Sequence, residues 1–150
     1  MANSDNVIRA GLTPKLRDIP NLISNLTYTA SPSLKHVVEP RHSSLSVSKS
    51  SVSMLYDPPI PEFSVIQVKV PSGGKECHDG IRGPSIAIVT EGKGKVSWGF
   101  EGEGLDIGLG DVFFVGARTR IELESSGVVE VGELVIYRAF VEIDEGAANV

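Results

Sequence analysis

From residue 56 onward the apolar positions fall in short blocks or alternate with polar ones, without the 3.6-residue period of a helix. The blocks Glu62–Val70, Ser85–Thr90, Lys95–Phe100, Leu105–Gly108, Val112–Val115, Arg120–Glu124 and Glu133–Glu142 read as strands separated by glycine-bearing turns. Strands this short and this closely spaced predict an antiparallel sandwich or jelly roll. Gly92-Lys93-Gly94 reads as a hairpin loop, with glycine supplying a positive φ. Gly110-Asp111 reads as the turn before Val112–Val115.

The first part of the chain is different. Asp18-Ile19-Pro20 looks like a helix start, an N-cap acceptor followed by a proline in the first turn, where its missing N–H costs nothing. Leu22, Ile23 and Leu26 then share one face at helical spacing, and a helix this short depends on docking that face. Asn25-Leu26-Thr27 matches a glycosylation triplet, read as accidental in a protein that is not secreted. Between His42 and Ser53, seven of twelve positions are serine, which suits a solvated loop of variable structure. The expected organisation is a helical connector at 1–30, a Ser-rich loop at 31–55, a β-barrel at 56–143 and a tail at 144–150.

Composition narrows the class. A chain of 150 residues and 16.0 kDa, 41% hydrophobic, supports one folded domain, and 16 Gly with 9 Pro work against a helical bundle. Cys77 is the single cysteine, so no internal disulfide or cysteine-rich zinc motif is available. A net charge of −5 disfavours nucleic-acid binding. No window approaches a membrane span of roughly 20 apolar residues, and Met1–Ile8 is too polar for a signal peptide. A cytoplasmic protein is expected. Residues 1–50 carry six Lys/Arg against three Asp/Glu, and residues 51–150 eight against sixteen, so an anionic ligand would prefer the N-terminal third.

Pro71-Ser72-Gly73-Gly74, the strand running into Thr90-Glu91-Gly92-Lys93-Gly94, and Leu109-Gly110-Asp111-Val112-Phe113-Phe114-Val115 resemble the skeleton of the cupin fold, a double-stranded β-helix. Metal-binding cupins aim a His-x-His pair, a glutamate and a further histidine at one ion, because alternate strand positions share a face. Here His78 falls near the first histidine position, Gly80 takes the second, Pro84-Ser85 stands where the glutamate is expected and Arg120-Ile121 where the last histidine is. No metal is expected in this barrel, and His78 reads as a loop histidine. His36 and His42 read as surface residues. Cys77 beside His78 suggests a thiolate–imidazole pair only until strand geometry is considered, since neighbouring strand residues face opposite ways.

The sharper signal is Ser4-Asp5-Asn6-Val7-Ile8-Arg9-Ala10-Gly11-Leu12-Thr13-Pro14-Lys15, followed by Asp18 and Leu26-Thr27-Tyr28. This run closely resembles a segment of the type I phosphomannose isomerases that leads toward their C-terminal cupin. Tyr56-Asp57-Pro58-Pro59-Ile60-Pro61-Glu62-Phe63 and Tyr137-Arg138-Ala139-Phe140 resemble the entry and closing strand of the last barrel in that family. The resemblance implies a zinc-dependent aldose–ketose isomerase interconverting mannose 6-phosphate and fructose 6-phosphate, with a sugar phosphate as substrate.

By the same resemblance Arg9 matches the family's active-site arginine, a permanently charged fork of donors suited to an enediol-like intermediate. Asp5 and Asn6 orient it, touch the sugar or form a turn, and Lys15 meets the phosphate or lies on the solvated surface. The family's zinc is held by a glutamine, two histidines and a glutamate upstream of the matched run, so the zinc ligands are not expected in this chain, nor activity from it alone. The alternative is a non-catalytic carbohydrate-binding or interaction module that keeps the barrel without the chemistry.

Overall fold

The computed structural model describes residues 17–27, 30–47, 52–99, 103–126 and 132–141. Two units are present, Met1–Val37 and Val38–Val150. In the first, helix α1 spans Ile19–Asn25. Asp18 caps it as expected, its Oδ1 accepting from the Asn21 N–H at 3.3 Å, with proline in the first turn. Ile23 and Leu26 on its apolar face are exposed. A 3₁₀ turn follows at Ser33–His36.

The second unit contains strands β1 (Arg41–His42), β2 (Ser53–Tyr56), β3 (Ser64–Val70), β4 (Lys75–His78), β5 (Ser85–Glu91), β6 (Lys93–Trp98), β7 (Glu103–Gly108), β8 (Val112–Val115), β9 (Ile121–Ser125) and β10 (Leu134–Phe140). They form a larger antiparallel sheet in the order β1-β2-β3-β10-β5-β8 and a smaller one in the order β4-β9-β6-β7. From β3 to β10 the chain passes back and forth between the sheets, the winding of a jelly roll. The mostly β architecture expected from the sequence is what folds.

Period-2 alternation fills the space between the sheets. Ile66, Val68 and Val70 of β3, Ala87 and Val89 of β5, Ile121 and Leu123 of β9, and Leu134 and Ile136 of β10 are all buried there. On the outer face of the larger sheet the register aligns Phe114, Ile86, Ala139 and Val65 across β8, β5, β10 and β3. The next row aligns Val112, Ile88, Tyr137 and Gln67 across the same strands.

Three expectations are corrected. The Ser-rich segment 31–55 is not simply a loop ahead of a barrel beginning at residue 56. It contains β1 and β2, and Ser46 bridges to His78, with Val47 N–H donating to the Cys77 carbonyl at 2.9 Å and Asp79 N–H to that of Leu45 at 3.1 Å. Small serines allow this close approach, and Ser43, Ser46 and Ser53 are buried in it. Second, β4 was missed because Lys75-Glu76-Cys77-His78 has no apolar alternation: its inward positions hold Glu76 and His78.

Third, Gly92 does not close a hairpin. It carries the chain from β5 in one sheet to β6 in the other, at φ +77°. A Cβ on Gly92 would stand 2.2 Å from the Glu133 carbonyl oxygen, whereas one on Gly99, at φ +72°, would meet nothing within 4 Å. Both positions favour glycine by conformation, at about 1 kcal/mol, and only the first adds a backbone collision. Gly99→Ala is therefore expected to cost about 1 kcal/mol and Gly92→Ala more than about 2 kcal/mol. Urea unfolding of the two variants checks this, and equal midpoints would remove the collision from the account.

Candidate functional site

Inside the barrel a polar cluster replaces hydrocarbon. Ser53 of β2, Glu76 and His78 of β4, Ser85 of β5 and Arg138 of β10 are all buried, with His78 at 0% exposure. The alternation that buries Ile136 and Phe140 also turns Arg138 inward, and the alternation of β4 turns Glu76 and His78 inward to meet it. His78 is thus a strand residue in the interior, correcting the loop reading. Cys77 faces outward, where it accepts from Arg120 Nε at 3.1 Å, so no thiolate–imidazole pair forms.

The hydrogen bonds run in one direction. Arg138 Nε donates to Ser85 Oγ at 2.9 Å, and its Nη1 lies 3.5 Å from His78 Nδ1. Ser53 Oγ donates to Glu76 Oε1 at 3.1 Å and lies 2.8 Å from His78 Nε2. A guanidinium has donors only, so His78 Nδ1 must be the acceptor. A hydroxyl already donating to Glu76 accepts from His78 Nε2–H. The neutral Nε2–H tautomer satisfies both contacts.

Burial, reinforced by the charge of Arg138, pushes the His78 pKa down to about 4, against the opposing pull of Glu76 and Asp79. Burial also lowers Arg138, to about 10, which leaves it charged at neutral pH.

This donor set does not suit zinc. Both ring nitrogens of His78 are engaged, and the guanidinium beside Nδ1 would repel a second cation. Among the described residues no group of three or more His, Cys, Asp and Glu side chains is placed to hold a metal ion. The matched run with Asp5, Asn6, Arg9 and Lys15 lies outside the described residues. His36 is exposed, its Nε2 2.7 Å from Ser31 Oγ, and His42 is exposed in β1. No helix among the described residues is long and apolar enough to cross a membrane.

On the outer face of the smaller sheet a groove of about 710 Å³ is lined by Cys77, Ser97, Trp98, Arg118, Arg120 and Glu122 among others. Beside it Lys75 pairs with Glu122 and Glu124, each at 3.1 Å, in ion pairs exposed enough to contribute little stability. Charges of both signs alternate across this face, which makes it a solvated surface without an evident anion preference.

Winding and interior together define a jelly-roll domain with a sealed polar centre. Residues 53–99 match the family described as phosphomannose isomerase type I C-terminal. The chain is 43% identical over 142 residues to a mannose-6-phosphate isomerase of Cryptococcus neoformans and 41% identical over 143 residues to one of Saccharomyces cerevisiae. In each case the match takes in 95% of this chain and about a third of the relative, 30% and 32%. A solved mannose 6-phosphate isomerase from Salmonella typhimurium, bound to its substrate (f6p) and zinc, superposes with a TM-score of 0.64 at 25% identity, over 95% of this chain and 32% of that one. Over nearly its whole length the chain is thus similar to the C-terminal portion of type I phosphomannose isomerases, and it spans about a third of the length of the relatives it matches.

Sequence reasoning missed the interior cluster. Its one available signal was the pair of polar residues two apart in Lys75–His78 together with an arginine inside the apolar strand Leu134–Phe140.

The neutral, buried His78 has a consequence for stability. Its folded pKa, about 4, lies below the ordinary 6.5, so the unfolded chain takes up a proton that the folded chain refuses. This contribution is neutral above pH 6.5, destabilises progressively as pH falls from 6.5 to 4, and levels off below that, reaching about 3 kcal/mol. The thermal midpoint should fall across that window, and His78→Gln should flatten the slope there. An unchanged slope in the variant would assign the acid sensitivity to other groups.

Proposed function

We propose that this chain acts as the C-terminal part of a mannose-6-phosphate isomerase, which interconverts mannose 6-phosphate and fructose 6-phosphate in the cytoplasm. The observation carrying this reading is the 43% identity across 95% of the chain, which takes in the N-terminal run as well as the barrel. The described residues do not suit zinc, so the metal of such an enzyme is held outside them.

Arg9 is the residue of this chain that meets the reacting sugar. Its guanidinium stays charged and offers paired donors to the oxygens on which negative charge develops as a proton moves between neighbouring carbons. Asp5 and Asn6 position that guanidinium, and Lys15 attracts the phosphate. Among the described residues the polar centre of the barrel offers no opening to a substrate: Glu76, His78 and Arg138 are each no more than 1% exposed and are linked to one another through Ser53 and directly. The same sealing disfavours the alternative of a module that binds sugar in the barrel interior.

In a coupled assay with zinc and mannose 6-phosphate, the 150-residue chain alone is expected to show no turnover. A chimera in which this chain replaces the matching third of the Cryptococcus neoformans relative should turn over within about tenfold of the intact relative. Arg9→Ala in that chimera should lower kcat by about 100-fold or more while the bound zinc, read by elemental analysis, stays constant. A folded chimera without activity, or an Arg9→Ala chimera as fast as its parent, would refute the reading.

A further inference from the structure

Strand β4 is not held to the barrel by hydrocarbon. Between Val70 and Ile81, both buried, the chain contributes no apolar side chain to the core. The inward positions of β4 are Glu76 and His78. It is also an edge strand of four residues, whose ladder partner is β9. Its other edge is covered by the serine segment, through the Ser46–His78 bridge, the Val47 N–H donating to the Cys77 carbonyl and the Asp79 N–H donating to that of Leu45. Attachment of β4 therefore depends on backbone pairing and on the hydrogen bonds of its two polar side chains.

Those bonds accommodate one protonation state of His78. Its Nδ1 lies 3.5 Å from Arg138 Nη1, which can only donate, and its Nε2 lies 2.8 Å from Ser53 Oγ, which donates to Glu76. A proton on Nδ1 would set N–H against N–H in an interior closed to water. The charges acting on the ring are Arg138 from β10, Glu76 from β4 itself and Asp79 just beyond it. Its partner across β9 is the uncharged Ile121. Glu76 Oε1 is 3.8 Å from Nε2, too far for a hydrogen bond, and burial together with Arg138 outweighs the two carboxylates. The imidazolium is tolerated only where it reaches water.

We propose that protonation of His78 releases β4, with the segment Leu45–Val47 that covers its edge, while the two-sheet core stays folded. The opening is local because it breaks polar contacts and leaves the clustered apolar side chains in place. Its apolar cost is confined to Leu45, partly buried at the margin of the core. Buried Val70 anchors one end, and at the other Ile81 is buried and its carbonyl accepts from the Arg118 N–H at 2.6 Å. In the released state Arg138, Glu76 and Ser53 are open to water, so acid converts a sealed polar centre into an accessible one.

Amide hydrogen exchange of the 150-residue chain, corrected for the intrinsic pH dependence of exchange, tests this. The opening equilibrium read at the Val47 and Asp79 amides should rise by about 20-fold from pH 7 to pH 5, as expected for a ring that titrates at 6.5 when released and at about 4 when enclosed. It should respond little to dilute urea. The amides of Leu134–Phe140 should open less often and respond steeply to urea, because their route is global unfolding. In His78→Gln the rise at Val47 and Asp79 should vanish. If Val47 and Asp79 share the opening equilibrium and urea response of β10, acid acts on the whole fold and the proposal is overturned. A rise that persists in His78→Gln overturns it as well. Where that variant does not fold, the wild-type profile decides, since an opening at Val47 and Asp79 that is the same at pH 7 and pH 5 sinks the proposal.

Discussion

A guanidinium sealed between two β-sheets governs much of this barrel. Taking a charge out of water costs several kcal/mol, and that cost is met only where every donor finds an acceptor in good geometry. Arg138 finds Ser85 and the unprotonated nitrogen of His78, and His78 passes the polarity on through Ser53 to Glu76. The residues come from β10, β5, β4 and β2, strands belonging to both sheets. A slip of one residue in any of these strands would turn its member outward and leave the others unpaired in the interior. The cluster therefore specifies register where a wholly aliphatic centre would tolerate several packings.

The same cluster removes the barrel interior from the list of places where chemistry happens. Its polar atoms are directed at one another, its histidine is held neutral, and its cation stands where a metal ion would otherwise be drawn. What the described barrel offers to other molecules is accordingly on its outside. The smaller sheet is dressed in ion pairs of mixed sign, and the larger sheet in aliphatic and aromatic side chains.

Local pattern carried a large part of the fold. The alternation in Ser64–Val70, Ser85–Glu91 and Leu134–Phe140, the Asp18 cap with its following proline, and the turn at Gly110-Asp111 were legible because each depends on residues close in sequence. The resemblance carried by residues 4–15 was legible for another reason: a run of mixed chemistry is a specific string, whatever its conformation.

The elements that escaped are those whose meaning depends on distant partners. Lys75–His78 is a strand because β9 pairs with it, and its inward polar residues are tolerable only because Arg138, some sixty positions later, completes their hydrogen bonds. Gly92 looks like a hairpin glycine until Glu133 is seen to press against it. The serines at 43–53 look like a loop until Ser46 bridges to His78. Taken by itself, the sequence determined a jelly roll of short strands and its kinship, since periodicity and motif are local properties. The tertiary structure alone decided that a polar network is closed within the apolar interior and that two apolar rows line up on one sheet face, because satisfaction of a buried charge and continuity of a surface are properties of residues brought together from across the chain.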